Sequence, residues 1–456
     1  MTAAAWSRVC LGGAWLTLPW IGLGTLRLLT GRDLGAGLQP SWLLLGVATV
    51  LAAFGHPQAW PVLPRPVRGL AVAAAAAVAL SALGLLVAPV AEPAAVVWQR
   101  YGKQVIQLVI MAAFLVWPAL WVRGAARWRW TARLLLAGAL LQVLYGALQW
   151  LHWYHPGALL PALDRLFTSN PAILSGSEQL HLADGFRDVP RLRGTASEPL
   201  YLGNYLLLIL PLLGLTGWRR GPLLGAGLAL GLLLLLTWSR GAWLAAIAAG
   251  VLALGLRRWS PGVPGPGRRV HWRRWVGCAA AVVLLAALLG PQRLLLPVER
   301  LAQSFSGRDW SNLTRFYSMQ AGWRAFTLSP LVGVGWGQFA WHFPLLVDTA
   351  GLQSQFQWPV VNNFPLQILC ETGAAGFAVF AAITLALMRG TGRALRAGGD
   401  EQRARRVRAT AVATCAVWLQ LLTFSQYNLP HIWVAPGLLL AALADRSGAG
   451  SEKSGA

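Results

Sequence analysis

Between Gly221 and Leu256 the chain is apolar for two helix lengths and is interrupted once, by Thr237-Trp-Ser-Arg-Gly241. Apolar runs of about 20 residues are long enough to cross a bilayer as helices. Arg240 therefore lies where apolar side chains would otherwise be continuous. A cation there is costly unless it faces a cavity, a partner or an anionic substrate. The alternative is an arginine at a helix end whose side chain reaches back to the interface.

The composition of the whole chain agrees with a membrane protein. Its 456 residues are 56% hydrophobic and 12% charged, whereas soluble domains are about a quarter charged. The net charge of +23 comes almost entirely from arginine. Arginines that flank membrane helices explain this charge better than a nucleic-acid surface does, so we expect no nucleic-acid partner. The four cysteines show no metal-site or disulfide spacing, and we expect no metal and no cofactor.

The apolar runs predict an all-α fold, a polytopic membrane bundle of about 12 transmembrane helices with two long periplasmic loops, the larger one partly helical. The predicted helices lie near residues 9–29, 41–62, 69–90, 105–123, 132–154, 199–217, 221–238, 241–256, 275–293, 365–388, 409–428 and 430–445.

The distribution of arginine orients this bundle. If both termini are cytoplasmic, the short arginine-rich segments 123–133 and 389–408 are also cytoplasmic, as the positive-inside rule requires. Most acidic residues then lie on the outer side. We expect a multi-pass protein of the bacterial inner membrane with a periplasmic site and no cleavable signal peptide. The predicted regions are N-terminal transmembrane helices 1–154, a first periplasmic loop 155–198, central helices with a cytoplasmic Arg/Pro/Gly loop 199–293, a large periplasmic loop 294–364, and C-terminal helices with a cytoplasmic tail 365–456.

Three arginine-bearing segments fall on the predicted outer side. Arg191 and Arg193 precede a helix start at Pro199 and suit phosphate oxygens; the alternative is pairing with Asp184 or Asp188. Arg240 lies in a tight turn between two helices. Arg315 lies in a predicted amphipathic helix, which is followed by a turn with glycines at 333, 335 and 337.

A fourth outer segment runs from Asn362 to Gly376. Asn363 is a candidate helix cap, and the positive helix end there favours an anion. Glu371 lies two turns further in, where a carboxylate is either a catalytic acid or the structural partner of an arginine. Together, the four segments predict a receptor for a lipid-linked diphosphate whose sugar chain projects outward.

These segments resemble the bacterial O-antigen ligase and polymerase family, which is related to protein O-oligosaccharyltransferases. The resemblance covers roughly residues 187 to 388 and rests on four motifs in order: Arg-Gly-Thr…Glu-Pro…Asn-Tyr, Thr-x-Ser-Arg-Gly, Pro-Leu-x-Gly-x-Gly after an arginine, and Asn-x-x-Leu-Gln…Glu-x-Gly-x-x-Gly. It implies a glycosyltransferase of lipopolysaccharide biosynthesis that uses an undecaprenyl-diphosphate-linked glycan. Arg191, Arg193, Arg240, Arg315 and Asn363 would then bind the diphosphate.

One departure from the family concerns the base. Family ligases carry His-Asn where this chain has Asn362-Asn363, and an amide orients a hydroxyl but does not deprotonate it. We expect Asn362 to orient the acceptor, with His342, Glu371, Asp348 and His431 as alternatives for the base. This departure favours a polymerase over a ligase that acts on lipid A core or protein.

Other function classes stay open at this stage. They are a transporter of lipid-linked glycans and a non-catalytic assembly subunit. The expected partners are the lipid-linked donor, an acceptor glycan on lipid or lipid A core, membrane lipids and a chain-length regulator.

Overall fold

In a computed structural model, the protein is described for residues 2–20, 39–55, 65–167, 189–258, 290, 295–303, 310–348, 359–397 and 400–445. These residues are mostly helical and contain no β-strand. The predicted all-α class is therefore confirmed for the described part of the chain. The helices are α1 Ala3–Leu16, α2 Pro40–Gly55, α3 Arg65–Leu80, α4 Gly84–Val87, α5 Ala94–Trp121, α6 Gly124–Tyr154, α7 Leu159–Phe167, α8 Pro199–Leu212, α9 Arg220–Leu236, α10 Arg240–Arg258, α11 Leu296–Ala302, α12 Trp310–Leu328, α13 Phe339–Leu346, α14 Phe364–Arg396, α15 Glu401–Gln420 and α16 Pro430–Ala444.

Five of the described helical segments are long and apolar enough to cross a membrane: Val67–Val87, Ala94–Trp121, Gly124–Tyr154, Arg240–Arg257 and Phe364–Arg396. Shorter apolar helices lie between them, such as α8 and α9. The predicted total of about 12 transmembrane helices stays a prediction, and the predicted helix at 275–293 lies outside the described residues.

Three helices begin eight or more residues before the sequence pattern predicts. The predicted helices 105–123, 132–154 and 409–428 correspond to α5, α6 and α15, which begin at Ala94, Gly124 and Glu401. In each, the apolar pattern stops at charged residues while the helix continues. Arg100 shows why this is tolerated, because its Nε donates to the carbonyl of Gly337, 2.7 Å away, in another segment.

The ends of six helices meet at one end of the bundle, where the candidate site lies. By connectivity, α8, α10, α14 and α16 begin at the end where α9 and α15 finish. Backbone hydrogen bonds across this end join Leu192 to Leu236 and Phe364 to Leu421, both at 2.9 Å. At the opposite end, Arg133 donates to the carbonyl of Thr216. The segments that sequence analysis assigned to the outer side therefore meet one another.

Helix α14 is broken at Gly373, where φ is 66° and ψ is −170°. The break leaves backbone groups without hydrogen-bond partners inside the helix. The turn after α12 supplies those partners. The amide of Val334 donates to the carbonyl of Cys370 at 2.9 Å, and the amide of Ala374 donates to the carbonyl of Pro330 at 2.8 Å. A Cβ at Gly373 would lie 2.3 Å from the backbone of Leu331. The Gly-rich turn, which contains Gly333, and the Glu-x-Gly segment 371–373 thus pack directly against each other.

Candidate functional site

Three of the predicted phosphate-binding arginines are brought together at the bundle end. Arg191 donates from Nε to the carbonyl of Thr237 at 3.1 Å, just before the turn that holds Arg240. Arg240 donates from Nη2 to Oδ1 of Asn312 at 3.3 Å, one helical turn before Arg315 on α12. We call Arg191, Arg240 and Arg315 the arginine cluster.

Glu198 joins two members of this cluster. Its carboxylate interacts electrostatically with both Arg191 and Arg315, and it accepts a hydrogen bond from the hydroxyl of Tyr201 at 3.3 Å. Glu198 occupies the cap position of α8, yet its side chain makes no capping hydrogen bond. Glu198 was not singled out from the sequence, although it follows Arg193 by five residues at the start of α8.

Arg193 is separated from the cluster by its own partners. Its guanidinium forms a buried ion pair with Asp164 of α7 at 2.9 Å, and it also donates to the carbonyls of Gly194 and Ala196. Tyr145 donates to the other oxygen of Asp164 at 2.7 Å. The sequence predicts that Arg193 either binds the diphosphate or pairs with Asp184 or Asp188. Both aspartates lie outside the described residues. The geometry instead favours a structural role for Arg193.

Two glutamines of α6 hold the loop that carries these arginines. The side-chain oxygen of Gln149 accepts from the amides of Arg193 at 3.2 Å and Gly194 at 3.0 Å, while that of Gln142 accepts from Thr195 at 2.8 Å. Both glutamines are fully buried. These two glutamines were not singled out from the sequence, although two glutamines seven residues apart on an apolar helix share one face. They fix the backbone between Leu192 and Ala196, and hence the entry into α8.

A second polar chain fixes the turn before α10. The amide of Gln420 donates to the carbonyl of Leu200 at 3.1 Å and to Oγ of Ser239 at 3.4 Å, and it accepts from Asn204 at 3.1 Å. His431 contacts Oδ1 of Asn204 at 2.9 Å. His431 is buried in this chain of contacts, so the geometry assigns it to positioning the turn and not to the base.

Asn362 and Asn363 connect α14 to its neighbours. Asn363 caps α14 by accepting from the amide of Leu366 at 3.0 Å, as predicted, and it donates to the carbonyl of Leu422 at 3.2 Å. Asn362 has φ of 57°, a left-handed backbone that asparagine tolerates. Its amide donates to Oγ of Ser318 at 3.0 Å. Because Ser318 lies one turn beyond Arg315, Asn362 lies beside the part of α12 that carries the cluster.

Glu371 points into the contact between α14 and the Gly-rich turn. It is 1% exposed, accepts from the amide of Phe339 at 3.2 Å and from Gln367 at 3.1 Å, and interacts electrostatically with Arg100. Of the two predicted roles, this arrangement supports the structural partner of an arginine. Phe339 begins α13, so Glu371 also fixes the position of that helix.

His342 lies inside a small apolar core under α12. It is 2% exposed, and its Nε2 has no hydrogen-bond partner among the described residues. Burial lowers the pKa of His342 from 6.5 to about 4. The imidazole is therefore neutral at pH 7, but it is also closed off from a sugar hydroxyl.

We expect His342→Leu to retain most activity, because the buried imidazole makes no hydrogen bond within the described part of the chain that leucine would lose. The unfolded state binds the proton more readily, so stability is lost as pH falls from 6.5 towards 4. Melting temperatures across that window, with the substituted protein as reference, measure this loss. A wild-type rate that follows one ionisation near 6.5 and is abolished in His342→Leu would instead make His342 the base.

Comparison with known families adds to this geometry. Residues 224–381 match the model of the Wzy_C family, described as O-antigen ligase. The matched range contains Arg240, Arg315, Asn362 and Glu371, and it confirms the family resemblance drawn from the sequence. No curated protein matches the chain significantly.

Proposed function

We propose that this chain, whose residues 224–381 match the O-antigen ligase family model, transfers a glycan from undecaprenyl diphosphate to a sugar acceptor. The reaction takes place at the periplasmic face of the inner membrane. The product favoured here is a longer lipid-linked chain, as in synthesis of O-antigen or another surface polysaccharide. The proposal requires no metal or cofactor, because guanidinium groups supply the positive charge.

The observation that carries this proposal is the convergence of Arg191, Arg240 and Arg315 at one end of the bundle. The three arginines come from a loop, a helix start and a separate helix. Guanidinium groups bind phosphate oxygens through paired N–H donors. The N-termini of α8, α10 and α14 begin at the same end and favour negative charge. A diphosphate is an anion that matches this arrangement.

The chemistry follows from where charge develops. As the anomeric bond breaks, negative charge grows on the departing diphosphate, and arginines held in place stabilise that charge without reorganising. The fixed positions of Thr237 and Asn312 beside Arg191 and Arg240 provide this preorganisation. A hydrogen bond from the acceptor hydroxyl to Oδ1 of Asn362 would orient that hydroxyl.

The alternatives are transfer to lipid A core or to protein, and transport of the lipid-linked glycan. Asn362 at the position of the family histidine favours the polymerase. A polymerase would also act with a chain-length regulator as a partner.

Purified protein incubated with a lipid-linked glycan distinguishes these functions. Longer lipid-linked chains on a gel would support the polymerase, and transfer to added lipid A core would support the ligase. Movement of donor across vesicles without any new glycosidic bond would overturn both. The variant Arg315→Ala serves as the reference for background transfer.

The proposed orientation predicts which segments an impermeant thiol reagent reaches. In a variant without native cysteines, we expect a cysteine at Glu299 on α11 to be labelled in intact spheroplasts and one at Ala397 after α14 to require permeabilisation. The physical reason is that the reverse orientation would translocate the arginine-rich segments 123–133 and 389–408. Both positions are exposed, so access is not limited by burial. Labelling of position 397 alone from outside would reverse the orientation.

A further inference from the structure

Within the proposed transfer reaction, Glu198 meets the requirements for a catalytic base. A base must reach the substrate, must be able to accept a proton at the working pH, and must lie beside the groups that hold the donor. Glu198 is exposed, and its carboxylate lies within electrostatic range of Arg191 and Arg315. Of the four predicted alternatives for the base, His342, Glu371 and His431 are each at most 2% exposed, whereas Asp348 is half-buried just after α13.

The carboxylate of Glu198 is not used to cap a helix. Helix α8 begins with Pro199, and Glu198 occupies the cap position without a side-chain capping bond. Its hydrogen bond from Tyr201 is long, at 3.3 Å. Tyr201 itself packs against Phe424 with ring centroids 5.8 Å apart. The tyrosine is thus held in place beside the carboxylate.

The acceptor side of the site lies against the same surface. The turn that contains Phe424 also contains Ser425, whose hydroxyl accepts from the amide of Asn362 at 3.2 Å. Tyr201 and Asn362 therefore flank one turn from two directions. Glu198, through its partner Tyr201, and Asn362 are thereby joined to neighbouring residues of the same turn.

We propose that Glu198 is the base that activates the acceptor hydroxyl, in place of the histidine that this chain lacks. This inference rests on the proposed function. The acceptor oxygen forms a bond to the anomeric carbon as its proton passes to the Glu198 carboxylate. The anomeric bond to phosphate breaks, its electron pair stays on the undecaprenyl diphosphate, and the proton later leaves Glu198 to solvent. The single displacement inverts the anomeric configuration.

The electrostatics couple base strength to donor binding. Although the side chain keeps an exposed surface, the protein packed around it partly desolvates the carboxylate and raises the pKa of Glu198 above its ordinary value of 4.5, while Arg191, Tyr201 and Arg315 act in the opposite direction. A diphosphate on the arginines would offset their charge and add repulsion of the same sign as the carboxylate. The base is therefore stronger when the donor is present, which favours proton transfer only in the complete complex.

Glu198→Gln tests the role of the charge. We expect the transfer rate to fall by about 10² to 10⁴-fold, while the KM for the donor stays the same or decreases, since the arginines lose a competing anion. Glu198→Asp should keep part of the rate. The matched control is Glu299→Gln, which changes an exposed glutamate on α11 and should not alter transfer.

The pH dependence separates a base from a positioning residue. The wild-type rate should decrease as pH falls through an ionisation above 4.5, and the residual rate of Glu198→Gln should lack that ionisation. Tyr201→Phe removes a hydrogen bond to the ionised form and should move the ionisation to higher pH.

Full activity of Glu198→Gln beside active wild type would overturn this inference alone. A wild type that transfers no glycan under any condition would instead overturn the proposed function. A variant that raises only the donor KM would assign Glu198 to positioning the arginines.

Discussion

Alanine at Arg315 should reduce glycan transfer by about 10² to 10³-fold, the loss typical when one donor to a developing oxyanion is removed. Arg191→Ala and Arg240→Ala should have effects of similar size, because the three side chains share one anion. The KM for the lipid-linked donor should rise as well, since the ground-state diphosphate carries charge. Lysine should restore little activity where the guanidinium makes two parallel hydrogen bonds to phosphate.

The matched control is Arg324→Ala on the same helix. Arg324 is exposed and lies nine residues, about two and a half turns, beyond Arg315, so it faces the opposite side of α12. This variant should transfer glycan at the wild-type rate. Transfer would be measured at equal protein level and after confirming a normal melting temperature in detergent. If Arg240→Ala kept full activity, the turn that holds Arg240 would not belong to the site. The side chain of Arg240 would then only reach back to the membrane interface.

Alanine at Arg193 should lower stability first and activity as a consequence. Removing one partner of a buried ion pair leaves the other charge uncompensated, at a cost of about 3 to 5 kcal/mol. Asp164 would keep the hydrogen bond from Tyr145 but lose its cation. The melting temperature in detergent should fall markedly, together with protein level in the membrane.

The double variant Arg193→Met with Asp164→Leu provides the control. Replacing both charges by apolar groups of similar volume is often neutral, so this protein should regain stability and part of its transfer activity. A diphosphate ligand at position 193 predicts the reverse result. In that case Arg193→Ala would be stable yet inactive, and the stable double variant would be inactive as well.

The class of fold and the candidate segments follow from the sequence because they depend on local chemistry. Apolar runs of helix length predict helices wherever they occur, and α8, α9, α10 and α16 lie close to their predicted positions. Asn363 caps α14 as predicted because a cap requires only the residue and its neighbours within one turn. Residue order likewise sufficed for the family resemblance, which the match at residues 224–381 confirms.

The partners of charged residues could not be predicted in this way. Arg191 and Arg193 are two residues apart and equivalent by sequence, yet one contacts the turn before Arg240 and the other is buried against Asp164. Glu371 meets Arg100, which lies on a helix far away in the chain. A side chain finds its counter-charge across helices, so its role depends on packing that no local pattern encodes.

The sequence by itself determined the helical class of the described residues, the apolar runs that are able to cross a membrane and the likeness of residues 224–381 to the O-antigen ligase family, because burial of apolar runs and the order of short motifs are properties of the chain. Only the tertiary structure decided which charges face one another. It gathers Arg191, Arg240 and Arg315, adds Glu198 between two of them, and encloses Arg193, His342 and Glu371. The physical reason is that a charge placed within an apolar bundle must be either paired or left open to a ligand, and packing between distant helices makes that choice.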